Sequence, residues 1–400
     1  MVDADIIVIG AGPVGMLAAL LSARQGLGVL LLEQSEKRHI QSRAIGITPP
    51  SLEILSRLGL AGVFIEHGVT VRVSEAYGRS MRLGRIDFSE LQSEFPFVLS
   101  IPQGRTEMLL EEAVCAHSSV RFLRGHQVTD CTSEQGRVTV RGIRADAGTF
   151  HITGQYVLAC DGGKSTIREV LGIPFEGAPE RYTFLMGDYE DTTGWGSDAR
   201  FFFTARGSVE SFPLPDGKRR YVVRTPFFIK ENTTRYLKLE LLRRAGIDVE
   251  GVRQFWESSF GVQRFMARAF CKGRVFLCGD AAHMMSPVGG QNMNTGFADA
   301  ELAAWLTGIL LEKRAPPHRV HRLYDRVRKK AARAACRRAQ WMMLLGASGG
   351  NIWSAIRNLA SLFFLHTPLR CYLIRLFSMQ SIPCRNLKNS RKSFERELKL

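Results

Sequence analysis

A glycine-rich turn near the start of the chain constrains the fold more than any other feature. The sequence Gly10-Ala11-Gly12-Pro13-Val14-Gly15 follows an apolar run at 5–9 and precedes an Ala/Leu-rich segment. A second apolar run at 29–32 then ends on Glu33. This order is typical of a β-α-β unit with a buried parallel sheet. Glycines at the first, third and sixth positions can make the tight turn, let backbone N–H groups approach a pyrophosphate and seat the helix on the strand. We therefore predict an α/β fold with a dinucleotide-binding loop.

The acidic residue after the second apolar run strengthens this prediction. Glu33 lies 18 residues after Gly15, where a carboxylate can accept hydrogen bonds from ribose hydroxyls. The first helix would direct its partially positive N-terminus at the phosphates. The loop alone does not distinguish FAD from NAD. The predicted dinucleotide contacts in this unit are Gly10, Ala11, Gly12, Pro13, Gly15, Glu33 and Gln34.

Length and composition place the chain among globular proteins. Its 400 residues are 45% hydrophobic, which is ample for burial. The apolar stretch 6–32 follows Asp3 and Asp5 and is broken by the glycine turn, so it predicts neither a signal peptide nor a spanning helix. The eight cysteines are scattered without the spacing of a zinc site, so we expect reduced thiols and no metal. These features predict a cytoplasmic protein.

The positive charge is confined to the C-terminal part of the chain. The net charge is +16, but residues 313–400 hold 20 Lys and Arg against three acids, a local balance of +17 that leaves −1 for the other 312 residues. A basic face over the whole fold is excluded, and we expect no nucleic-acid partner. The tail indicates a local partner, such as an anionic membrane surface or an acidic protein, or solvent alone.

The middle of the chain mixes helical and strand patterns. We predict helices from Pro49 to near Gly59 and over 106–116, and a meander over 120–150. Aromatic runs at 201–203 and 221–223, separated by Pro-Asp-Gly at 215–217, predict hairpins. A strand at 274–278 then leads into a glycine loop and a helix to Ala304. We predict a Rossmann-type domain at 1–175 with an excursion near 72–98, a β-sheet substrate domain at 176–267, a return at 268–312 and basic C-terminal helices at 313–400.

Two further motifs follow the glycine loop in order. The first is Cys160-Asp161-Gly162-Gly163-Lys164-Ser165-Thr166-Ile167-Arg168, and the second begins at Gly273 and contains Gly279-Asp280-Ala281-Ala282-His283 and the loop 286–296. Three motifs with this order and spacing resemble the FAD-dependent aromatic-ring hydroxylases of the p-hydroxybenzoate hydroxylase and phenol hydroxylase type. The resemblance covers residues 2 to about 300 and continues more loosely to Pro368. One position departs from the pattern, because Asn292 stands where a glycine usually follows Gln291.

The resemblance implies a set of FAD contacts. Asp280 is expected to end a strand and accept from a ribityl hydroxyl, while Asn294 would lie near the start of a helix whose N–H groups face the flavin. Asp161 and Gly162 resemble the pair that contacts FAD and the nicotinamide. We interpret His283 mainly as structural. Lys164 and Arg168 are open to two interpretations, a nicotinamide phosphate site or a solvated helix start. The predicted contacts are Arg43, Gln103, Arg105, Asp161, Gly162, Gly279, Asp280, Pro287, Gly290, Asn292, Met293 and Asn294, with either Gln103 or Arg105 as the family's equivalent.

The resemblance also implies a reaction. NADPH or NADH would reduce FAD, O2 would add to form a flavin hydroperoxide, and its terminal oxygen would attack a phenolic, quinone-precursor or polycyclic ring. No catalytic side chain is required, and the aromatic residues of 201–228 form either a wall of the substrate cavity or sheet core. Two alternatives stay open: a halogenase or prenyl-chain reductase on the same fold, or a flavin-binding membrane-surface module without turnover. Trp195 and Trp256 stand alone, without the halogenase tryptophan motif.

The basic tail contains two amphipathic patterns. Thr367 and Pro368 predict the N-cap and first residue of a helix whose apolar stripe is Leu369, Tyr372, Leu373, Leu376 and Phe377. Upstream, Ile352, Ile356, Leu359 and Phe363 repeat this spacing opposite Ser354, Arg357, Asn358 and Ser361. Both stripes are too short to span a bilayer, so the helices either lie on an anionic membrane, at the inner face, or pack back on the FAD domain.

Overall fold

The computed structural model describes residues 2–38, 44–78, 81–134, 136–347 and 350–400. The strands, in chain order, are β1 Ala4–Ile9, β2 Val29–Leu32, β3 Gly46–Ile47, β4 Val69–Val71, β5 Val73–Tyr77, β6 Arg82–Asp87, β7 Val98–Ser100, β8 Val120–Leu123, β9 His126–Glu134, β10 Arg137–Arg144, β11 Thr149–Ala159, β12 Phe175–Glu190, β13 Ala199–Thr204, β14 Gly207–Leu214, β15 Lys218–Thr225, β16 Gln254–Ala267, β17 Cys271–Lys272, β18 Val275–Leu277 and β19 His283–Met284. The helices are α1 Pro13–Ala23, α2 Pro49–Arg57, α3 Ala61–Glu66, α4 Gln103–Ala116, α5 Thr166–Val170, α6 Thr233–Ala245, α7 Gln291–Leu311, α8 Pro317–Ala347, α9 Asn351–His366, α10 Arg370–Phe377 and α11 Arg391–Leu398.

The first sheet contains the predicted β-α-β unit. Its strand order is β17-β18-β11-β1-β2-β8, with β10 and β9 continuing from β11. β1 pairs in parallel with β2 and β11, and β11 pairs in parallel with β18. The near-continuous apolar runs are explained by burial, because every residue of β2 and all but one of β1 are buried in this sheet. The α/β fold with a Rossmann-type unit is confirmed.

The second sheet is built mainly from the middle of the chain. Its order is β19-β16-β12-β15-β14-β13-β5-β6, so β5 and β6 join it from an earlier part of the sequence. The predicted hairpins are confirmed: β13 pairs with β14, and β14 with β15. Asp216 and Gly217 both have positive φ in the three-residue turn that joins Leu214 to its partner Lys218. α6 covers one face of this sheet, and its Leu237 and Leu241 enter the core there.

Several predicted boundaries differ from the structure. α2 begins at Pro49 as expected, but α4 begins at Gln103, three residues before the predicted start, because Pro102 supplies an extended N-cap. β8 pairs with β2 instead of β9, so the meander consists of β9, β10 and β11. α7 continues past Ala304 to Leu311 because the apolar pattern that buries it also continues.

Two of the C-terminal helices, α9 and α10, pack on the second sheet, whereas α8 packs mainly on α7 and α11 packs on α8. α9 contacts β6 and β13, and α10 contacts β6. The prediction that a helix starts at Pro368 is wrong by two residues, because 367–369 form a turn before α10 begins at Arg370. Among the described helices, none is both long and apolar enough to cross a bilayer.

α9 is oriented with its polar side toward the protein. Arg357 is buried, and its guanidinium donates to the carbonyl oxygens of Leu345 and Thr204. The predicted apolar stripe is instead exposed, with Ile352 at 81% and Leu359 at 70%. The expectation that these helices pack back on the FAD domain is therefore wrong for α9, which packs on the second sheet with its apolar stripe outward. The buried hydrogen bonds of Arg357 account for the orientation, since a buried guanidinium is tolerated only when it is hydrogen-bonded.

Candidate cofactor site

The glycine loop joins β1 to α1 with two glycines that no other residue could replace without displacement. A Cβ on Gly10 would lie 2.4 Å from the carbonyl oxygen of Cys160, and one on Gly15 would lie 1.8 Å from the carbonyl oxygen of Gly10. Gly12 differs, because a Cβ there would meet nothing within 4 Å. Gly12 is the N-cap of α1 and Pro13 its first residue, so the helix N-terminus opens onto free space beside Ala11.

Glu33 lies beside this loop, where the sequence predicted it. Its Oε2 accepts from the Ala11 N–H at 2.8 Å and its Oε1 from the Ser35 N–H at 2.9 Å. Each carboxylate oxygen has a second lone pair, so ribose hydroxyls can still donate to it. Gln34, the next residue, is exposed. Glu33 thus fixes the loop and borders the space beside it.

The Asp161 loop follows β11 and lies against the glycine loop. Asp161 accepts from the Ser165 hydroxyl at 2.6 Å and from the Ile167 N–H at 3.1 Å, which caps the start of α5. Burial raises the pKa of the Asp161 carboxyl, although these two hydrogen bonds oppose the shift. Gly162 has φ +80°, and a Cβ there would meet nothing within 4 Å. The loop therefore presents Gly162 to open space while its carboxylate faces inward.

Arg168 connects two of the motifs. It is buried, and its guanidinium donates to the carbonyl oxygens of Gly163 at 2.9 Å and Ala281 at 3.1 Å. It also stacks over Phe175, with 3.7 Å from Cζ to the ring centroid. Both interpretations of Arg168, as a nicotinamide phosphate ligand and as a solvated residue, are therefore wrong. Lys164 is exposed.

The Asp280 loop carries the departure from the family pattern. Asp280 lies in the 3-10 turn Gly279–Ala281 after β18, so it does not end the strand itself. The Asn292 side-chain amide donates to the Asp280 carboxylate at 2.8 Å. Asn292 is the second residue of α7 with helical backbone, and the positive φ angles fall on Gly289 and Gly290. The backbone at Asn292 therefore does not require glycine.

Hydrogen bonds connect the start of α7 to β3 and the residue that follows it. The Asn294 amide donates to the carbonyl oxygens of Gly46 at 2.9 Å and Gly290 at 2.6 Å, and its Oδ1 accepts from the Thr48 N–H at 3.0 Å. Its side chain thus holds the helix N-terminus in place. Pro287 precedes this turn, and Met293 is partly buried against the main core.

The remaining predicted contacts lie around α4. Gln103 accepts from the Ala44 N–H at 3.2 Å and donates to Glu107 at 2.8 Å. Arg105 instead forms an ion pair with Asp216 in the β14-β15 turn, at 3.2 Å. Gln103 therefore borders the segment that leads into β3, whereas Arg105 reaches the second sheet. Arg43 lies outside the described residues.

A buried charge network beneath the Asp280 loop was missed by the sequence reasoning. Asp299 accepts from His283 Nε2 at 2.7 Å, from the Gly279 N–H at 3.0 Å and from Arg328 Nε at 2.6 Å. Burial raises the pKa of Asp299, but Arg328 and His283 together outweigh it and hold that pKa below its ordinary value. The only signal in the sequence is an acid inside the apolar helix α7. His283 is fully buried, which agrees with its interpretation as a mainly structural residue.

These residues fit a dinucleotide with a flavin. The three loops meet at the carboxyl ends of β1, β11 and β18, where ligands bind in open α/β sheets. Gly12 and Gly162 leave room for close approach. Among the described residues, Asn292 Oδ1 is buried without a hydrogen-bond partner beside Asp280, and so it can accept from a bound group.

Comparison with known proteins identifies the family. The family model for the FAD binding domain matches residues 3–339. The chain belongs to the FAD-dependent aromatic hydroxylase family. Among its relatives in this family, rifampicin monooxygenase of Streptomyces venezuelae is 34% identical over 320 residues, 78% of this chain and 65% of the relative. An uncharacterized aromatic compound monooxygenase of Bacillus subtilis is 32% identical over 321 residues, 79% of this chain and 64% of the relative.

A solved structure of the FAD-dependent hydroxylase fold matches almost the whole chain. p-Nitrophenol 4-monooxygenase of Pseudomonas putida superimposes with a TM-score of 0.86 at 22% identity, covering 96% of this chain and 98% of that one. The likeness confirms the fold. The chain spans slightly less than two thirds of the length of the two relatives named above.

Proposed function

We propose that the chain is an FAD-dependent monooxygenase that uses NADPH or NADH and O2 to hydroxylate an aromatic substrate. The observation that carries the proposal is the convergence of the three motif loops at one sheet edge, with Gly12 and Gly162 facing open space. Membership of the FAD-dependent aromatic hydroxylase family supports it. We also propose that the second sheet, with residues 176–267, forms the substrate domain.

Bound FAD would supply the redox chemistry, accepting a hydride from the nicotinamide and passing electrons to O2 so that one oxygen atom enters the ring. The chain's residues would bind and orient it. Glu33 would accept from the adenosine ribose, and the α1 N-terminus would face the pyrophosphate. Asp280 and Asn292 would hold the ribityl and ring portions, and the first turn of α7 would favour negative charge on the reduced ring.

The proposal is tested by oxidation assays on the FAD-loaded protein. We expect slow basal oxidation of NADPH or NADH and faster oxidation, with O2 uptake, when a suitable phenol or polycyclic aromatic is added. A halogenase or prenyl-chain reductase would not show aromatic-stimulated O2 uptake from nicotinamide alone. A flavin-binding module without turnover would bind FAD and show no stimulation by any aromatic compound.

Asp280→Ala is expected to weaken FAD retention strongly. A charge-assisted hydrogen bond from a carboxylate contributes about 1.5–3 kcal/mol, which corresponds to roughly 10- to 150-fold in the dissociation constant of FAD. Asp280→Asn, which keeps a hydrogen-bond acceptor, should lose less FAD affinity than Asp280→Ala. The measurement is flavin fluorescence during titration of apoprotein with FAD. If Asp280→Ala bound FAD with wild-type affinity, Asp280 would not be part of the FAD site.

We propose as a second function that the exposed apolar surface of α8 and α9 attaches the protein to an anionic membrane. The apolar stripe of α9 faces outward and continues onto α8 through exposed Trp341, Leu344 and Leu345. Residues 326–394 contain no Asp or Glu, and Arg333 and Arg337 are exposed on α8. Arg370 is partly neutralised by Glu90. Apolar and aromatic residues flanked by cations fit the interface of an anionic bilayer.

Vesicle co-sedimentation tests this attachment. Wild-type protein is expected to pellet with phosphatidylserine-containing vesicles at low salt and to stay in the supernatant with neutral vesicles. Ile352→Ser with Leu359→Ser should abolish pelleting, whereas Phe227→Ser, 65% exposed between β15 and α6, should not. Point variants are used because truncation would remove Arg357 from its buried contacts. Wild-type recovery in the supernatant with both lipids, or a dimer that the double variant disrupts, would contradict membrane attachment.

A further inference from the structure

Glu210 is a buried acid on the face of the second sheet opposite α6. Its neighbour Val209 points into the core under α6 with Tyr221 and Val223. Side chains alternate along a strand, so Glu210 lies on the other face. There it is flanked across the sheet by Phe201 and Val222. Glu210 is only partly accessible.

The strand that carries Glu210 is connected through neighbouring elements to the turn that follows the Asp280 loop. β14 contacts α8 and β7, and the turn Val288–Gly290 contacts both α8 and β3, which pairs with β7. At one end of β14, Ser208 lies on the Glu210 face against Gly346 of α8. At the other end, the carbonyl oxygen of Pro213 accepts from Ser100 of β7 at 2.6 Å. β14, whose Glu210 face carries Ser208 against α8, is therefore linked through α8 and β7 to the turn that follows the Asp280 loop.

No described residue neutralises this carboxylate through a hydrogen bond or ion pair. Two arginines on other elements have their own partners: Arg220 of β15 pairs with Asp188 at 2.6 Å, and Arg357 of α9 donates to carbonyl oxygens. Arg224, further along β15, has a buried Nε without a partner. Burial alone raises the pKa of Glu210 to about 7. An acid with such a pKa exchanges protons near neutral pH.

The residues next to Glu210 suit a flat ring. Phe201 and Phe212 meet edge to face, with 5.6 Å between centroids and an interplanar angle of 85°, and both are partly accessible. An aromatic ring packs favourably against such edges and faces. A carboxylate beside them can accept a proton from a hydroxyl on that ring.

We propose that Glu210 is the general base that removes the proton of a phenolic substrate. This inference rests on the proposed monooxygenase function. The phenolic O–H bond breaks, its proton forms a new O–H bond to the Glu210 carboxylate, and the released electron pair spreads onto the ring carbons. The ring thereby becomes more electron-rich for the oxygen insertion that reduced flavin and O2 would carry out. The proton then leaves to water or returns to the product.

The test compares wild type with Glu210→Gln in the FAD-loaded protein, with phenol, 4-nitrophenol and anisole as probes. With phenol, kcat should fall about 10²- to 10⁴-fold, with little change in KM or flavin content. The rise of the wild-type rate with pH through about 7 should disappear. The loss should shrink with 4-nitrophenol, a more acidic phenol, and vanish with anisole, which has no proton to give. Glu190→Gln, an exposed acid at the end of β12, is the matched control.

Thermal unfolding gives a readout independent of turnover. The pKa of Glu210 is raised in the folded state, so its contribution to stability is present at low pH and is lost as pH rises through about 7. At pH 5, Glu210→Gln and wild type should therefore have the same melting temperature. At pH 8, the melting temperature of Glu210→Gln should be higher than that of wild type. Glu210→Asp, which keeps a carboxylate, should retain part of the activity that Glu210→Gln loses.

The outcomes separate the two proposals. A Glu210→Gln enzyme with wild-type kcat and pH profile on phenol, or with equal losses on phenol and anisole, would overturn the general base while the monooxygenase stands. Wild-type protein that binds FAD but is stimulated by none of the three probes would overturn the general base for phenols, whereas the monooxygenase is overturned only if quinone precursors and polycyclic aromatics fail to stimulate it as well.

Discussion

Asp299→Ala is expected to lower the free energy of unfolding by about 3–5 kcal/mol, because it leaves Arg328 and His283 buried without their partner. Asp299 also accepts from the Gly279 N–H, so the Asp280 loop should loosen and FAD affinity should fall with stability. Urea unfolding followed by circular dichroism measures the first effect, and FAD titration measures the second.

A surface ion pair provides the control for Asp299. Glu397 pairs with Arg326 at 2.6 Å, but the two side chains are 44% and 54% exposed. Glu397→Ala should therefore change the free energy of unfolding by no more than about 1 kcal/mol. If Asp299→Ala cost as little as Glu397→Ala, the buried network would not be a main support of the loop.

Gly12→Trp is expected to prevent FAD binding without unfolding the protein. Gly12 has φ −71° and ψ 178°, which any residue adopts, and a Cβ there meets nothing within 4 Å. The indole would instead occupy the space that the pyrophosphate needs, so FAD affinity should fall about 100-fold or more, at least ~2.7 kcal/mol.

Gly12→Ala provides the matched control, since a methyl group fits the same open space and should leave the protein yellow. Flavin content after denaturation and melting temperature are measured on both variants. A Gly12→Trp protein that retains its flavin would place the cofactor elsewhere.

The main elements near the glycine loop could be predicted from sequence because their signals are local. The turn at 10–15 requires glycine for backbone reasons, and Glu33 follows at a spacing set by one helix and one strand. The Asp-Gly turn between β14 and β15 is equally local, since both residues adopt positive φ. Such features depend on a few neighbouring residues, so the sequence alone predicts them.

The predictions that were wrong concern residues whose partners are distant in the sequence. Arg168 appeared solvated or ligand-binding, yet it bonds to Ala281, 113 residues away. Asp299 and Arg328 form their pair across two helices, and no periodicity in either helix indicates it. α9 has an apolar stripe that predicts burial, but Arg357 turns the polar side inward. Where a buried polar group finds partners distant in sequence, amphipathicity alone predicts the wrong face.

O2 uptake by the FAD-loaded protein with NADPH or NADH tests whether the chain is an aromatic monooxygenase. Phenols, quinone precursors and polycyclic aromatics are added one at a time, and products are analysed by mass. We expect at least one compound to accelerate O2 and nicotinamide consumption together and to yield a product heavier by one oxygen atom. Flavin-loaded protein whose slow basal oxidation no aromatic compound changes would contradict it.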